Sequence, residues 1–597
     1  MVDRNGSTDI QFAIIGSAGD GTIAAGDILK RAMAGLGYKV IAFDIYPAEI
    51  RGFGKCISRV RVTTEQAYSL KRHSDVLVSL DDSYAIPHVG EVCDYGAVIY
   101  EASPIARLPE GAHITAHIRP TQLPYGLNQR EISERATSAA RSRNIVILGY
   151  LAGLYGIDPQ AFRDVIAAKF ERKAAIVTTS NTTAFDAAYE VGRTVFKLDQ
   201  GSLGEPAPAK SGETATMMTG NGAIVRGCID AGLDTFFGYP ITPATTILER
   251  LAAELPRHGG RVLQTEDEIS AISATIGAGY AGARAATATS GPGLALMAEM
   301  LGLGVMGEIP SVVFVSQRGG PSTGMPTKTE QSDLNMAVFG GAGDAQRIVL
   351  APTNVDGCYR TAGKAFEMAE KYQTPVIVLL DLYLSNRYET VVPPAKNPFA
   401  PDLNKGLEAW RGDGDYQRYQ QTEDHVSPRA LPGEDGGMHT VTGLEHSELG
   451  KPSDLPENHM AMSAKRHEKL KAALTHPDFT ICKRFGDEGP IDVGILGWGS
   501  TFGEILEAMF AAQAEGIRCS AMKVVMLSPL PEEQIAAFMD DCDAVLLPEL
   551  NYEGQLANLI SGALGRPLTR LNRATGAPMQ VEEILAEVRR LARAKAA

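Results

Sequence analysis

Short apolar runs alternate along the chain with longer segments of helical periodicity. The first run, IQFAIIGSAG, turns through glycines into TIAAGDILKRAMAGLG and then YKVIAFDIY, which predicts a β-strand, an α-helix and a second β-strand. A strand–helix–strand unit of this kind predicts a parallel sheet with helices on both faces. Apolar runs at DVLVSLD, GAVIYEA and NIVILGYLAGLYG continue the alternation, and helices carry it to about Lys197.

Two further α/β units follow, at 219–390 and 491–597. The first has predicted strands at DTFFGYP, RVLQTE, ARAATATS, SVVFVSQ, QRIVLAP and PVIVLLD, and the second alternates strand and helix from DVGILGWGS to GQLANLISGAL. Segment 198–218, rich in Gly, Pro, Ala and Thr, predicts a linker. Segment 391–490 is polar and has little periodicity, which predicts an extended arm lying on other surfaces. The pattern therefore predicts a multi-domain α/β fold whose first domain is 1–197.

Composition narrows the class of protein. The 597 residues exceed what one hydrophobic core organises, and the net charge of −15 argues against a nucleic-acid surface and suits a cytoplasmic enzyme. The polar start MVDRNGSTDI and the lack of a long apolar run predict neither a secretory leader nor a membrane segment. The seven cysteines are scattered without a C-x-x-C, so we expect reduced thiols and no metal site in this chain.

The first candidate site is the glycine turn GSAGDG after the first strand. Backbone amides of Gly16, Ser17, Gly19 and Gly21 at a helix N-terminus suit a phosphate group, and Asp44 follows the second strand where a ribose-binding acid would lie. The spacing is G-x-x-G-x-G rather than G-x-G-x-x-G. A bare tight turn and a phosphate cradle therefore both remain open.

The second candidate site is GYPITP at 238–243, between a strand and a helix. Two prolines hold the Thr242 hydroxyl at the carboxyl end of the strand, where open α/β sheets bind ligands. The alternative is that Thr242 is only a helix N-cap with Pro243 at the first helical position. From these six residues alone, the capping preference favours the alternative.

The third candidate site is TEDEISAISATIGAGYAG, which begins at Thr265. The helix dipole favours the three acids at 266–268, yet the residues that follow leave little polar face. We therefore expect a buried carboxyl group at the head of the helix, able to share a proton with a ring nitrogen. Downstream lie a Gly-Pro-Gly turn in ATATSGPGLALM and a loop that carries Arg318 and Lys328, suited to holding carboxylates.

Three motifs carry a family resemblance. GYPITPATTILERL, TEDEISAISATIGAGYAGARAATATSGPGLALM and SQRGGPSTGMPTKTEQSDL, in this order, resemble the α subunit of the 2-oxoacid:ferredoxin oxidoreductases, in the form whose γ subunit is fused ahead of α. The resemblance covers nearly the full chain and is greatest to the members that act on 2-oxoglutarate. It implies a γ-type Rossmann-like domain, a thiamine diphosphate pyrimidine-binding domain and a transketolase C-terminal-like domain.

The resemblance also implies roles for individual residues. A gapless match places on Glu268, rather than Glu266, the glutamate that bonds N1′ of the cofactor's aminopyrimidine, and it implies that Thr242 and Arg318 hold the 2-oxoacid in catalysis. The remaining implied contacts are Tyr239, Pro240, Ile241, Gly291 and Gly293 to the cofactor, Ser322, Thr323 and Lys328 to the substrate, and Gly16, Ser17, Gly19, Gly21 and Arg51 to coenzyme A or phosphate.

The diphosphate half of a thiamine site is missing from the sequence. Such sites need G-D-G followed by an asparagine, but 19–21 is followed by none before Asn128 and 412–414 by none before Asn458. We expect a β subunit to carry this motif with Mg²⁺ and a [4Fe-4S] cluster, in an (αβ)₂ assembly that reduces ferredoxin. The implied reaction converts 2-oxoglutarate and coenzyme A to succinyl-CoA and CO₂, or runs in reverse.

Three alternatives stay open on the sequence. The substrate could be pyruvate or a branched-chain 2-oxoacid, and the chain could be a non-catalytic regulatory subunit of a thiamine enzyme. A nicotinamide-binding oxidoreductase would use Gly16, Gly21 and Asp44 but leaves Thr242 and Arg318 without a role.

Overall fold

The chain divides into two compact units. Met1–Met218 with Arg387–Ala395 form one, and Thr219–Asn386 with Lys396–Ala597 form the other. The computed structural model describes residues 7–47, 54–102, 113–138, 140–195, 215–392, 394, 397–399, 410 and 415–596, so most of the predicted linker and part of the predicted arm lie outside it. The division of the second unit at 219–390 and 491–597 stays a prediction.

The first unit is built on an eight-stranded sheet in the order β6-β5-β4-β1-β3-β2-β14-β7. Helices cover it, and buried aliphatic side chains of β1, α1 and α4 form its core. Its elements are β1 Asp9–Ser17, α1 Thr22–Gly35, β2 Lys39–Ile45, β3 Lys55–Thr63, β4 Ser74–Ser79, α2 Asp82–Ala85, β5 Val92–Glu101, β6 Leu123–Leu127, α3 Gln129–Thr137, α4 Arg143–Leu154, α5 Pro159–Phe170, α6 Ala175–Val195, β7 Thr216–Thr219 and, from the returning segment, β14 Tyr388–Val391.

The prediction of a parallel sheet is wrong for this unit. Strand β3 lies between β1 and β2 and is antiparallel to both, whereas β1 is parallel to β4. The arginines of β3 break the continuous apolar run by which the other strands were recognised, so this strand was not predicted. Arg61 is nevertheless buried there, because its guanidinium pairs with Asp9 at 2.9 Å.

The second unit begins with a seven-stranded sheet in the order β18-β12-β13-β11-β10-β8-β9. All six strands predicted for this region form, and they run parallel to one another. The elements are α7 Gly220–Asp230, β8 Thr235–Gly238, α8 Thr245–Glu254, β9 Arg261–Gln264, α9 Glu268–Tyr280, β10 Ala285–Thr289, α10 Gly291–Met306, β11 Ser311–Gln317, α11 Leu334–Phe339, β12 Ile348–Leu350, α12 Val355–Tyr372, β13 Pro375–Asp381, α13 Leu382–Asn386 and, from further along the chain, β18 Met526–Ser528.

The predicted irregular arm contains a regular helix, α14 (Pro456–Lys471), which corrects that expectation. Its buried side includes Lys465 and Lys469, whose ammonium groups each lie 2.7 Å from the buried Glu308 carboxylate. Arg418, earlier in the arm, donates to the Glu308 carbonyl oxygen at 2.6 Å. Ion pairs and hydrogen bonds to Glu308, rather than an apolar stripe, therefore hold this part of the arm against the rest of the second unit.

A five-stranded sheet in the order β15-β17-β16-β19-β20 completes the second unit. Its buried residues join those of the seven-stranded sheet in one hydrophobic cluster that includes Ile272, Val315, Trp498 and Leu547. None of the described helices combines the length and hydropathy needed to cross a membrane. The elements are β15 Cys482–Gly486, β16 Ile491–Gly497, α15 Thr501–Ala514, β17 Cys519–Val524, α16 Glu532–Asp540, β19 Cys542–Glu549, α17 Gln555–Leu564, β20 Thr569–Asn572 and α18 Val581–Ala596.

Candidate active site

Four neighbouring parallel strands end at the same edge of the seven-stranded sheet. In the order β11-β10-β8-β9, each strand is followed by one of the motifs predicted to carry chemistry. Arg318 follows β11, 290–293 follows β10, 239–243 follows β8 and 265–268 follows β9. Since ligands of open α/β sheets bind at the carboxyl ends of the strands, the sheet gathers these motifs where a site is expected.

Glu268 is the first residue of α9 and is only 5% exposed. The neighbouring Asp267 is the N-cap and accepts a hydrogen bond from the Ser270 amide at 2.7 Å, while Glu266 is exposed. Within the described ranges, no group donates a hydrogen bond to the Glu268 carboxylate. Its place at the helix head therefore leaves the carboxylate able to accept a hydrogen bond from a ligand.

Two glycines at the start of α10 each lie against a carboxylate. A Cβ on Gly293 would lie 2.8 Å from Oε1 of Glu268 and collide with the Thr289 hydroxyl, and a Cβ on Gly291 would lie 2.5 Å from Oδ2 of Asp333. Real Cβ atoms do not approach other atoms so closely. The Gly-Pro-Gly turn is therefore required for the two carboxylates to reach the helix N-terminus.

Arg318 joins the loop after β11 to the loop after β8. The residue is 7% exposed, and its Nη1 donates to the Thr242 carbonyl oxygen at 2.6 Å, while burial lowers the pKa of its guanidinium. Helix α8 begins at Thr245 with Ala244 as its N-cap and no side-chain capping bond, so the interpretation of Thr242 as an N-cap is wrong. Thr242 itself is exposed at the site.

A cavity of about 670 Å³ opens beside Arg318 and is also lined by Gly291, Ser322, Glu330 and Asp333. Burial, reinforced by the charge of Glu330, raises the pKa of Asp333 to about 6, and Arg318 opposes the rise. Neither Nε of Arg318 nor Oδ2 of Asp333 has a hydrogen-bond partner in the described part of the chain. These buried polar atoms are available to a ligand in the cavity.

The loop 319–329 only partly follows the sequence prediction. Ser322 lines the cavity, but Thr323 and Lys328 are not among its lining residues. The stem of Lys328 instead packs against Gly576, where a Cβ would come within 2.9 Å of the lysine Cβ. The structure thus brings Ser322 to Arg318 and leaves the other two residues outside the cavity.

Family models match three stretches of the chain. They are described as "Pyruvate ferredoxin/flavodoxin oxidoreductase" at 11–191, "Pyruvate flavodoxin/ferredoxin oxidoreductase, thiamine diP-bdg" at 226–465 and "Pyruvate:ferredoxin oxidoreductase core domain II" at 491–584. The 2-oxoacid:ferredoxin oxidoreductase 2 subunit alpha of Aeropyrum pernix is 32% identical, over 98% of each chain. The chain belongs to the 2-oxoacid:ferredoxin oxidoreductase family. The predicted resemblance and the predicted multi-domain α/β fold are confirmed.

Two further members of the 2-oxoacid:ferredoxin oxidoreductase family carry a substrate in their names. The 2-oxoglutarate oxidoreductase subunit KorA of Mycobacterium tuberculosis is 31% identical, over 98% of this chain and 91% of that one. The solved 2-oxoglutarate:ferredoxin oxidoreductase of Magnetococcus marinus, with 2-oxoglutarate, coenzyme A and succinyl-CoA bound, is 36% identical with a TM-score of 0.91, over 98% of this chain and 99% of that one. Thr242, Glu268 and Arg318 all lie within the matched thiamine diphosphate-binding segment.

In the glycine turn at 16–21, the Asp20 side chain occupies a backbone amide that a phosphate would need. Oδ2 of Asp20 accepts the Ser17 amide at 2.9 Å, and burial raises the pKa of Asp20. Gly19 and Gly21 have φ of 103° and 80°, left-handed values that favour glycine. Arg51 lies outside the described residues. A carboxylate at these amides competes with a phosphate for the same donors.

Asp44 is held in the core of the first unit and does not serve a ribose. Its carboxylate accepts hydrogen bonds from Lys30 Nζ at 2.7 Å and from the Ser58 hydroxyl at 2.6 Å, and all three side chains are buried. The nicotinamide-binding alternative needs Asp44 to bind the ribose hydroxyls. Both carboxylate oxygens of Asp44 already accept hydrogen bonds within the core, so this alternative loses its support. This agrees with membership of the 2-oxoacid:ferredoxin oxidoreductases.

Sequence reasoning gave no role to three residues of the cavity wall: Asp333, Asn551 and Gln555. Asn551 donates to the Gln331 carbonyl oxygen at 3.0 Å, and Gln555 donates to the Ser332 carbonyl oxygen at 2.8 Å. Asn551, in the loop after β19, and Gln555, at the start of α17, therefore hold the segment before Asp333 in place. Asp333 is the second-last residue of the motif SQRGGPSTGMPTKTEQSDL, and an acid at the end of this Gly/Ser/Thr-rich loop was the signal that the sequence offered.

Proposed function

We propose that this chain supplies the pyrimidine half of the thiamine diphosphate site of a 2-oxoacid:ferredoxin oxidoreductase. The observation that carries the proposal is Glu268, a buried carboxylate at a helix head with no described donor and with Gly293 packed against it. An aminopyrimidine ring nitrogen is a group that such a carboxyl can hold by sharing one proton.

The roles of the residues follow from their positions. Thiamine diphosphate, when bound, supplies the nucleophilic carbon and the electron sink for decarboxylation of a 2-oxoacid. Glu268 holds the proton at N1′ of the aminopyrimidine, and the backbone of 239–241, with Gly291 and Gly293, lies at the same sheet edge for the ring to pack on. Arg318, fixed by its 2.6 Å bond to the Thr242 carbonyl, orients the substrate carboxylate, and the Thr242 hydroxyl holds the substrate carbonyl.

The substrate that we propose is 2-oxoglutarate, converted with coenzyme A to succinyl-CoA and CO₂. Its support is the naming of two relatives that match at nearly full length, one of them with 2-oxoglutarate bound. Of the residues that line the described cavity, Arg318 is the only cation, and Glu330, Asp333 and Glu553 are acids. A dianion would therefore approach Arg318 from the exposed Thr242 side, and its second carboxylate needs donors such as Ser322, Thr323, Lys328 or a partner's cation.

A β subunit is proposed to provide the diphosphate and Mg²⁺ motif and a [4Fe-4S] cluster that passes electrons to ferredoxin. Within the second unit, large apolar side chains are exposed on neighbouring elements around Glu268, from 39% for Tyr239 to 65% for Phe339. We infer that these side chains are covered by a partner subunit. We call this set the apolar face: Tyr239, Leu263, Ile269, Leu296 and Phe339. The (αβ)₂ assembly and the cytoplasmic location belong to the same proposal.

Substrate preference is tested with the assembled enzyme and a one-electron dye. We expect the largest kcat/KM for 2-oxoglutarate, with coenzyme A required, and smaller values for pyruvate and branched-chain 2-oxoacids. An equal or larger kcat/KM for pyruvate would favour the pyruvate alternative. Reduction of NAD⁺ in place of the dye would contradict the ferredoxin assignment.

A further inference from the structure

A second cavity, of about 560 Å³, lies in the second unit between the N-terminus of α12 and the strands β15 and β17. It shares no lining residue with the cavity beside Arg318. Its volume is in the range that holds a small-molecule ligand. Its charged lining residues are Asp356, Arg360, Lys364, Asp478, Lys483 and Lys523.

Two lysines of this wall lie directly opposite each other on neighbouring strands. Lys483 on β15 and Lys523 on β17 are direct partners in the antiparallel register. Neither forms an ion pair with a carboxylate among the described residues. Like charges directly opposite one another destabilise a sheet, and burial together with the charge of Lys483 lowers the pKa of Lys523. An anion between the two ammonium groups would relieve this repulsion.

The other cations of the wall are already neutralised within α12. Nε of Arg360 lies 2.8 Å from Asp356, and Nζ of Lys364 lies 2.7 Å from Glu367. Asp478 is the remaining acid of the wall and is exposed. The lysine pair therefore faces the cavity without a carboxylate ion pair among the described residues, and Nζ of Lys483 lies 5.1 Å from the centre of the Phe485 ring.

The end of α12 adds to this positive field. The helix has 18 residues, and its first turn, at Asp356 and Gly357, lines the cavity. The Gly357 amide donates to the Asn354 side chain at 2.8 Å, and the Asp356 carboxylate pairs with Arg360, so the contribution comes from the helix dipole rather than from these two groups. A helix N-terminus carries partial positive charge and favours anions, above all phosphates. Phe399 and Phe479 line the same space and offer apolar surface to the rest of a ligand.

We propose that this cavity binds a phosphate-bearing small molecule, whose phosphate groups lie between Lys483, Lys523 and the N-terminus of α12. The site is separate from the chemistry at Glu268, and it does not depend on which 2-oxoacid the enzyme uses. The phosphate could belong to a nucleotide or to an inorganic polyphosphate, since both present the same charge to the lysines.

The test is equilibrium binding of ADP, inorganic pyrophosphate and adenosine to the assembled enzyme by calorimetry, at low and high salt. We expect ADP and pyrophosphate to bind, with affinity that falls as salt rises, and adenosine not to bind. Lys483→Met and Lys523→Met should each weaken binding at least tenfold. Lys451→Met removes an exposed lysine outside the cavity and should leave binding unchanged.

The outcomes separate the two phosphate sources. At least tenfold tighter binding of ADP than of pyrophosphate identifies a nucleotide site, and equal affinities identify a polyphosphate site. Binding of ADP that neither lysine variant weakens, or no binding of either phosphate at millimolar concentration, overturns the proposal. Melting temperatures report folding, and if Lys523→Met fails to fold, the exposed Lys483→Met decides alone.

Discussion

The proposed role of Glu268 makes a prediction about a change of one atom. Glu268→Gln keeps the size of the side chain, so packing against Gly293 should survive. The amide cannot hold a proton at N1′ as a carboxyl does, and proton transfer by a positioned group contributes about 10²–10⁴-fold to a rate. We expect kcat of the assembled enzyme to fall by about that factor, measured by coenzyme A-dependent dye reduction.

Glu266→Gln is the matched control for that variant. Glu266 is exposed and lies two residues before Glu268, so its loss should change kcat less than about twofold. Both variants should melt near the parent's temperature. Equal activity of the two, or greater sensitivity at Glu266, would move the catalytic role away from Glu268.

Arg318 should matter for every 2-oxoacid, since it would bind the carboxylate that all of them share. A hydrogen bond to a charged group contributes about 1.5–3 kcal/mol, so Arg318→Ala should raise KM about 10- to 100-fold. Arg318→Lys keeps the charge but loses the planar fork, and we expect an intermediate KM. Arg250→Ala, at an exposed position of α8, is the control, and an unchanged KM in Arg318→Ala would exclude the contact.

Asp333 should make the stability of the folded protein depend on pH. Burial raises the pKa of Asp333 to about 6, so the folded protein holds a proton there that the unfolded chain has lost. Stability contributed by that proton falls as pH rises from about 4 to 6 and is absent above it. Asp333→Asn should therefore melt higher than the parent at pH 7.5, with the difference closing towards pH 4.5. A lower melting temperature at pH 7.5 would show that Arg318 outweighs the burial.

Residues whose role lies in a local motif could be predicted from the sequence, and residues brought in by the fold could not. Glu268 and Arg318 follow directly after strands, so the sequence places them at the edge of the sheet. Asn551 comes from a different sheet, far along the chain, and only packing brings it to the cavity. Lys328 was predicted to contact the substrate from its position in the loop motif. Its aliphatic stem instead packs against Gly576, a contact that the local sequence does not reveal.

At the scale of elements, helix α14 should depend on Glu308. Glu308→Gln removes the carboxylate that Lys465 and Lys469 share and leaves two buried ammonium groups unpaired. Breaking a buried pair from one side costs about 3–5 kcal/mol. We expect a lower urea midpoint and faster hydrogen exchange across Pro456–Lys471.

The exposed pair Lys471 and Glu468 on the same helix provides the control. Glu468→Gln should leave the urea midpoint nearly unchanged, since exposed ion pairs contribute little to stability. Similar losses in Glu308→Gln and Glu468→Gln would mean that the buried cluster does not dock α14.

The elements that sequence patterns predicted are those whose buried faces are apolar. All six strands from β8 to β13 form where expected, and the four central ones, β10 to β13, are fully buried. Strand β8 is half-buried and β9 is largely exposed. Helix α14 was missed because lysines and an arginine occupy much of its buried side, which erases the hydrophobic period. Strand β3 was missed because Arg59 and Arg61 break the continuous apolar run by which the other strands were recognised. Charge pairing, which needs a partner distant in sequence, is not visible in a local pattern.

At the scale of the whole molecule, the sequence did not show that Arg387–Ala395 returns to the first unit. Strand β14 pairs with β2, a contact of residues about 350 apart, and such pairing leaves no local trace. The sequence of helix α9 leaves little polar face, so we expected its surface to be largely buried. Ile269 is nevertheless 46% exposed, and the other residues of the apolar face are exposed as well. A helix with this composition is completed by a further surface, which we attribute to the β subunit.

The most direct test is to purify this chain free of any partner and to supply thiamine diphosphate, Mg²⁺, 2-oxoglutarate, coenzyme A and a viologen dye. Because we propose that the chain offers only the pyrimidine side of the cofactor site, and because its seven cysteines are scattered along the sequence, we expect no dye reduction. Addition of the β subunit to the same preparation should restore it, and should fail to do so with Glu268→Gln. Sustained, coenzyme A-dependent dye reduction by the isolated chain would contradict the split site.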